Sequence, residues 1–143
     1  MKKNKGFTLI ELLAVLVILA IIALIITPIV TGLIEDAQTK SAANATEGLL
    51  DAVDIYYGRE MMKTNGVFAN NSTVKVEFDG KTGGNASGTI DGDTAIEFNG
   101  FTVDGGQLTI DRYGVITIST SKPLSINGYN CTNPSTGVTC VEQ

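Results

Sequence analysis

The 143-residue chain holds 15 acidic against 10 basic side chains, a formal charge of −5, and contains neither histidine nor tryptophan. Without histidine there is no Ser-His or Cys-His nucleophile and no His-ligated metal, and no Gly-rich loop followed by Lys and Ser or Thr is present to cradle phosphate. The length suits one domain with a helical extension, no cofactor is called for, and the acidic balance makes a poor direct binder of nucleic acid.

The chain opens on Met1-Lys2-Lys3-Asn4-Lys5-Gly6 and turns apolar from Phe7, with a lone carboxylate, Glu11, just inside the apolar run. From Leu12 to Ile34, 23 residues carry no charge. At about 1.5 Å per residue such a helix covers roughly 35 Å, enough to cross a bilayer. Lys2, Lys3 and Lys5 flank only its N-terminal side, which places that end in the cytoplasm and the remainder outside. Three readings compete for the segment. A cleaved secretory signal needs a core of only about 7 to 15 apolar residues. The nearest small-residue site, Ala43-Asn44-Ala45, lies beyond Glu35, Asp36 and Lys40, and no cysteine ends the run as a lipoprotein signal requires. A plain signal anchor tethering a binding domain leaves Glu11 unexplained, because a carboxylate at depth in hydrocarbon is costly.

The third reading starts from Lys5-Gly6-Phe7-Thr8-Leu9-Ile10-Glu11, followed by Leu12-Leu13-Ala14-Val15, which closely resembles the processing motif of type IV prepilins. The resemblance covers residues 2 to about 34. It implies cleavage between Gly6 and Phe7 on the cytoplasmic side by a bifunctional prepilin peptidase, which then methylates the new Phe7 amine. It also implies a single-pass precursor in the cytoplasmic membrane, a membrane platform with its assembly ATPase, and a mature form in an extracellular pilus of identical subunits. Glu11 is then the assembly residue, meeting the N-terminal amine of a neighbour, and a buried pair of this kind specifies register more than it adds stability. The plainer alternative is that Glu11 snorkels to the headgroups. Loss of Lys2, Lys3 and Lys5 with the leader takes the charge from −5 to −8.

Within the apolar helix, Pro28 removes one backbone hydrogen bond and crowds the carbonyl four residues earlier, and Gly32 loosens the chain further, so a kink or a locally melted stretch is expected. Its reading is either a compliant segment of a packed filament or a tolerated proline. Past the run, Ile34, Ala37, Ala42, Ala45, Leu49, Ala52, Val53 and Tyr56 follow three- and four-residue steps that bury one stripe of a continuing helix. Asp36 and Lys40 are an i,i+4 pair, Gly58 weakens the last turns, and Asn65-Gly66 supplies a stop. A helix from Phe7 or Thr8 to Asn65 measures about 85 Å, whereas a folded unit of about 100 residues has a radius of gyration near 13 Å. Such a unit is too small to cover the rod, so its apolar half must sit in lipid or among copies of itself.

Beyond Gly66 the period becomes two. Val74, Val76 and Phe78 alternate with Lys75, Glu77 and Asp79, as in a strand with one buried face. Lys81 to Gly88 reads as a polar loop. Thr94 to Val103 and Gln107 to Asp111 read as strands joined by Asp104-Gly105-Gly106, and Asp111-Arg112-Tyr113-Gly114 turns the chain into Val115 to Thr120. The short connections favour antiparallel pairing. The expected fold is therefore α+β, a long N-terminal helix with an antiparallel sheet of about four strands packed on the inner stripe of its C-terminal half. Residues 1–6 are the leader, 7–34 the apolar half-helix, 35–65 the amphipathic half and 66–143 the head.

Asp91-Gly92-Asp93 with Glu97 lacks the spacing of an EF-hand loop and reads as a polar turn rather than a calcium site, so no metal is assigned. Asn-x-Ser/Thr triplets such as Asn85-Ala86-Ser87 carry little weight in so Asn-, Ser- and Thr-rich a chain. Cys131 and Cys140 lie near the C-terminus on the expected outer side, with Asn133-Pro134 and Gly137 between them favouring a compact turn. A disulfide is the economical reading, and two free thiols the alternative. Many type IV pilins likewise carry a disulfide-bounded C-terminal loop. The expected function is a non-catalytic pilin subunit serving adhesion, motility or DNA uptake through the filament. A pseudopilin or minor pilin of a secretion or competence system shares the N-terminal motif.

Overall fold

In a computed structural model of the chain, the described residues are 6–63, 73–80, 85–92 and 94–143. They form one helix, α1 (Leu9–Met61), then β1 (Thr73–Phe78), β2 (Asn85–Ile90), β3 (Thr94–Asn99), β4 (Gly106–Asp111), β5 (Ile116–Ile118), β6 (Leu124–Ile126), β7 (Tyr129–Thr132) and β8 (Thr139–Glu142). The expected α+β class holds. The chain divides into two compact units, Met1–Ala37 and Gln38–Gln143.

Helix α1 is 53 residues long, about 80 Å at 1.5 Å per residue. It begins at Leu9 rather than Phe7 or Thr8 because Thr8 caps it. It ends at Met61, where the Lys63 amide donates to the Glu60 carbonyl at 3.0 Å and the Lys63 ammonium meets the Glu60 carboxylate at 2.5 Å. The stop expected at Asn65-Gly66 lies outside the described residues. The helix continues through Pro28 and Gly32 without the expected melted stretch, Pro28 lacking the amide for one hydrogen bond of the ladder. The Thr27 hydroxyl donates to the Ala23 carbonyl at 2.7 Å and the Thr31 hydroxyl to the Pro28 carbonyl at 3.0 Å.

In the Gln38–Gln143 unit the buried stripe of α1 is Ala42, Thr46, Leu49, Val53 and Glu60. Ile34 and Ala37, expected at its start, are exposed. Thr46 is tolerated inside because its hydroxyl donates to the Ala42 carbonyl at 2.8 Å. Asp36 and Lys40 form no ion pair among the described residues.

The strands make two antiparallel sheets, one ordered β3-β2-β1-β4-β5 and one ordered β6-β7-β8, where about four strands were expected. Two differences have local causes. Asn85–Ile90 is a strand although 85–88 read as loop, while 81–84 lie outside the described residues. Its small residues have weak strand preference, but it pairs on both sides, and a Cβ at Gly88 would stand 2.3 Å from the Glu77 carbonyl oxygen. Asp104-Gly105-Gly106 is not a hairpin turn, because β4 pairs with β1, setting Val74 opposite Ile110 and Val76 opposite Leu108. The chain thus crosses the sheet between β3 and β4, and Gly105 forms a bridge to Ser125 at the second sheet.

Alternate strand residues face one core. Val74, Val76, Phe78, Ile90, Leu108, Ile110 and Ile118 are buried with Leu49 and Val53 of α1, and Leu124 and Ile126 of β6 join them. A second buried cluster contains Ala42, Tyr129, Cys131 and Cys140.

Candidate functional site

The first turn of α1 begins with a polar residue followed by two apolar ones and a carboxylate, Thr8-Leu9-Ile10-Glu11. A helix start leaves backbone N–H groups without partners, and in lipid no water is present to take them. The structure meets part of this demand locally. The Thr8 amide donates to Glu11 Oε2 at 2.8 Å, the Thr8 hydroxyl donates to the same oxygen at 2.9 Å, and the Glu11 amide donates to Thr8 Oγ1 at 3.3 Å. The Thr8 carbonyl accepts from the Leu12 amide at 3.2 Å. This reciprocal arrangement is a capping box. Thr8 was not among the expected site residues, although threonine three residues before glutamate at the head of an apolar run is its sequence signature.

Gly6 and Phe7 lie in the non-helical stretch before the cap, and Phe7 is 90% exposed. Nothing stands within 4 Å of a Cβ built at Gly6. A glycine here answers no demand of the fold, so any requirement for it belongs to whatever acts on the Gly6–Phe7 bond. The structure brings Glu11 together with Thr8 rather than with Phe7. Lys2, Lys3 and Lys5 lie outside the described residues.

From Leu9 to Ile34 every large apolar side chain is exposed, and α1 is the helix long and apolar enough, by length and composition, to cross a membrane. Pro28 and Gly32 sit within this stretch, with open space around Gly32.

The remaining expected site residues fall in the Gln38–Gln143 unit. Cys131 and Cys140 are joined in a disulfide, with Cα atoms 4.1 Å apart, directly opposite each other on β7 and β8. Asp91 closes the β2–β3 turn, its carboxylate accepting the Lys75 amide at 2.9 Å. Asp93 lies outside the described residues. Among the described residues no group of three or more acidic or cysteine side chains could hold a metal ion.

Residues 1–27 match the family model of the prokaryotic N-terminal methylation motif. No curated protein and no solved structure matches the chain. The motif supports a type IV pilin-like or pseudopilin protein, and with the long apolar N-terminal helix it fits a membrane-anchored precursor. The motif implies processing by a prepilin peptidase and entry into pilus-type assembly.

Proposed function

We propose that the chain is the structural subunit of a type IV pilus, cut between Gly6 and Phe7, methylated on Phe7 and polymerised through the apolar half of α1. The supporting observation is Glu11, a carboxylate held by Thr8 at the head of a helix whose large apolar side chains are exposed from Leu9 to Ile34. In lipid the capping box gives that carboxylate hydrogen-bond donors and lessens the cost of its depth. Cleavage creates a cationic amine on Phe7. A neighbour's amine offers Glu11 a charged partner that Thr8 does not, so correct registry replaces a neutral partner with an ionic one. The apolar half-helices leave lipid for one another and form the filament core, with Pro28 and Gly32 as a compliant segment. The role is structural rather than catalytic. Adhesion, motility or DNA uptake belongs to the filament, which lies outside the cell.

N-terminal mass spectrometry of sheared surface material tests the processing. A peptide beginning at methylated Phe7 is expected, and an N-terminus at Met1 supports a signal-anchored binding domain instead. Glu11→Val is expected to leave insertion and cleavage intact while filament yield falls, and a normal yield would remove the assigned role of the carboxylate. A pseudopilin or minor pilin shares the motif and is separated by its scarcity in sheared filaments.

A further inference from the structure

The connection between β4 and β5 carries a cation and an aromatic ring that the fold itself does not use. The Arg112 guanidinium lies 4.7 Å from the centroid of the Tyr113 ring and donates to its hydroxyl. Tyr113 is 73% exposed and Val115 beside it 57%. No carboxylate pairs with Arg112 among the described residues.

The tip is held in shape from below. Asp111 Oδ1 accepts the Tyr113 and Val115 amides at 2.8 Å each, and the Gly114 amide donates to the Asp111 carbonyl at 3.0 Å. Gly114 has φ of +83° and lies against the Tyr57 ring, whose hydroxyl donates to the Arg112 carbonyl at 3.2 Å. An ordered tip has already lost the freedom that binding would otherwise cost. Arginine and tyrosine are also the side chains most often found to dominate protein interfaces.

A surface of opposite character lies on α1. Glu47, Asp51 and Asp54 are all exposed and follow four- and three-residue steps, so they share one face. Like charges at that spacing repel, and no cation pairs with them among the described residues. Ile55, one turn from Asp51 and 64% exposed, borders a groove of about 240 Å³ lined by Tyr56, Phe98 and Phe101 together with the charged Arg59 and Glu97. The face therefore offers anionic oxygens beside the exposed Ile55, the complement of a guanidinium beside a phenol ring.

We propose that the Arg112–Tyr113 tip of one copy docks on the Glu47–Asp51–Asp54 face of a second copy, the guanidinium on the carboxylates and Tyr113 against Ile55. The inference rests on the filament reading above. Because tip and face are different surfaces, the contact can repeat along an open polymer. It gives the heads an attachment of their own besides the apolar helices.

The test uses filaments of the full chain from the producing cells. In filaments of Arg112→Lys, zero-length carbodiimide coupling is expected to join the introduced lysine to Glu47, Asp51 or Asp54 of another copy, read by mass spectrometry of the linked peptides. Arg112→Glu, and Asp51→Arg with Asp54→Arg, are each expected to cut filament yield at least tenfold. The chain carrying all three changes is expected to recover most of it, which misfolding of the single variants would not allow. Coupling only to other acids, or an unchanged yield from Arg112→Glu, overturns the proposal while leaving the filament reading intact. Absence of filaments from the unaltered chain overturns both.

Discussion

Thr8 and Glu11 close the start of α1 upon themselves, and a carboxylate read from the sequence as an intermolecular device has an intramolecular partner first. Removing a threonine N-cap costs about 1 kcal/mol. Thr8→Ala is therefore expected to speed hydrogen exchange of the Glu11 amide about fivefold in detergent micelles, measured by NMR, with little change beyond the first two turns. Tyr56 makes a second argument at this scale. Its ring meets Phe98 edge-on with centroids 5.9 Å apart. Burial, and then the Glu60 carboxylate, raises its pKa above the ordinary tyrosine value, against smaller opposing effects of Lys63 and Arg59. A raised folded-state pKa means that the neutral phenol stabilises the fold. That contribution is whole below the unfolded value near pH 10 and is lost as pH climbs through the folded one. The urea midpoint is expected to fall as pH rises above about 10, and Tyr56→Phe, which keeps the ring contact, to lessen the fall.

Among the elements, the outer edge of β5 shows how a side chain replaces a strand. Asn133 Oδ1 accepts the Ile118 amide at 2.6 Å, and its Nδ2 donates to the Ile116 carbonyl at 2.7 Å. The amide continues the ladder where no further strand follows and ties the disulfide-bounded turn to the five-stranded sheet. Asn133→Ala leaves an N–H and a C=O of β5 without their partner, a loss of about 1 to 3 kcal/mol. It is expected to lower the urea midpoint of the full chain, and Asn133→Asp, which keeps the acceptor but not the donor, to lower it as well. In sequence Asn133 reads only as the partner of Pro134 in a turn, because nothing local reveals which backbone groups it reaches.

At the scale of the molecule, the Gln38–Gln143 unit holds two buried clusters, and the disulfide belongs to the smaller one. Closing a loop with a sequence separation of 9 contributes about 2 to 3 kcal/mol in the chain-entropy treatment. Cys131→Ala with Cys140→Ala is expected to speed exchange in β7 and β8 while β1 and β4, whose side chains fill the larger cluster, keep their protection. Hydrogen-exchange mass spectrometry separates this outcome from uniform loosening, which would mean that the two clusters unfold together. Among its described residues the Met1–Ala37 unit has no such interior. From Leu9 to Ile34 its large apolar side chains are exposed, so its stable surroundings are lipid or other copies.

Much of this was legible in the chain because the signals were local. The apolar run, the lone Glu11 and the Gly6-Phe7 junction are neighbours in sequence, and the strict alternation of β1 and the turn at Asp111–Gly114 declare themselves within a few residues. Thr8 was legible too, through its spacing from Glu11. Other features depend on partners far away. β2 is a strand because β1 and β3 flank it, β4 passes β3 to pair with β1, and the buried stripe of α1 begins at Ala42. The amino-acid order alone determined a long helix whose first half carries the lone charge of Glu11, and a β-rich head, since hydropathy acts over a few turns. Tertiary structure alone decided strand order, the division into two clusters and the partners of Asn133 and Arg112, because contacts between distant residues arise only once the whole head has folded.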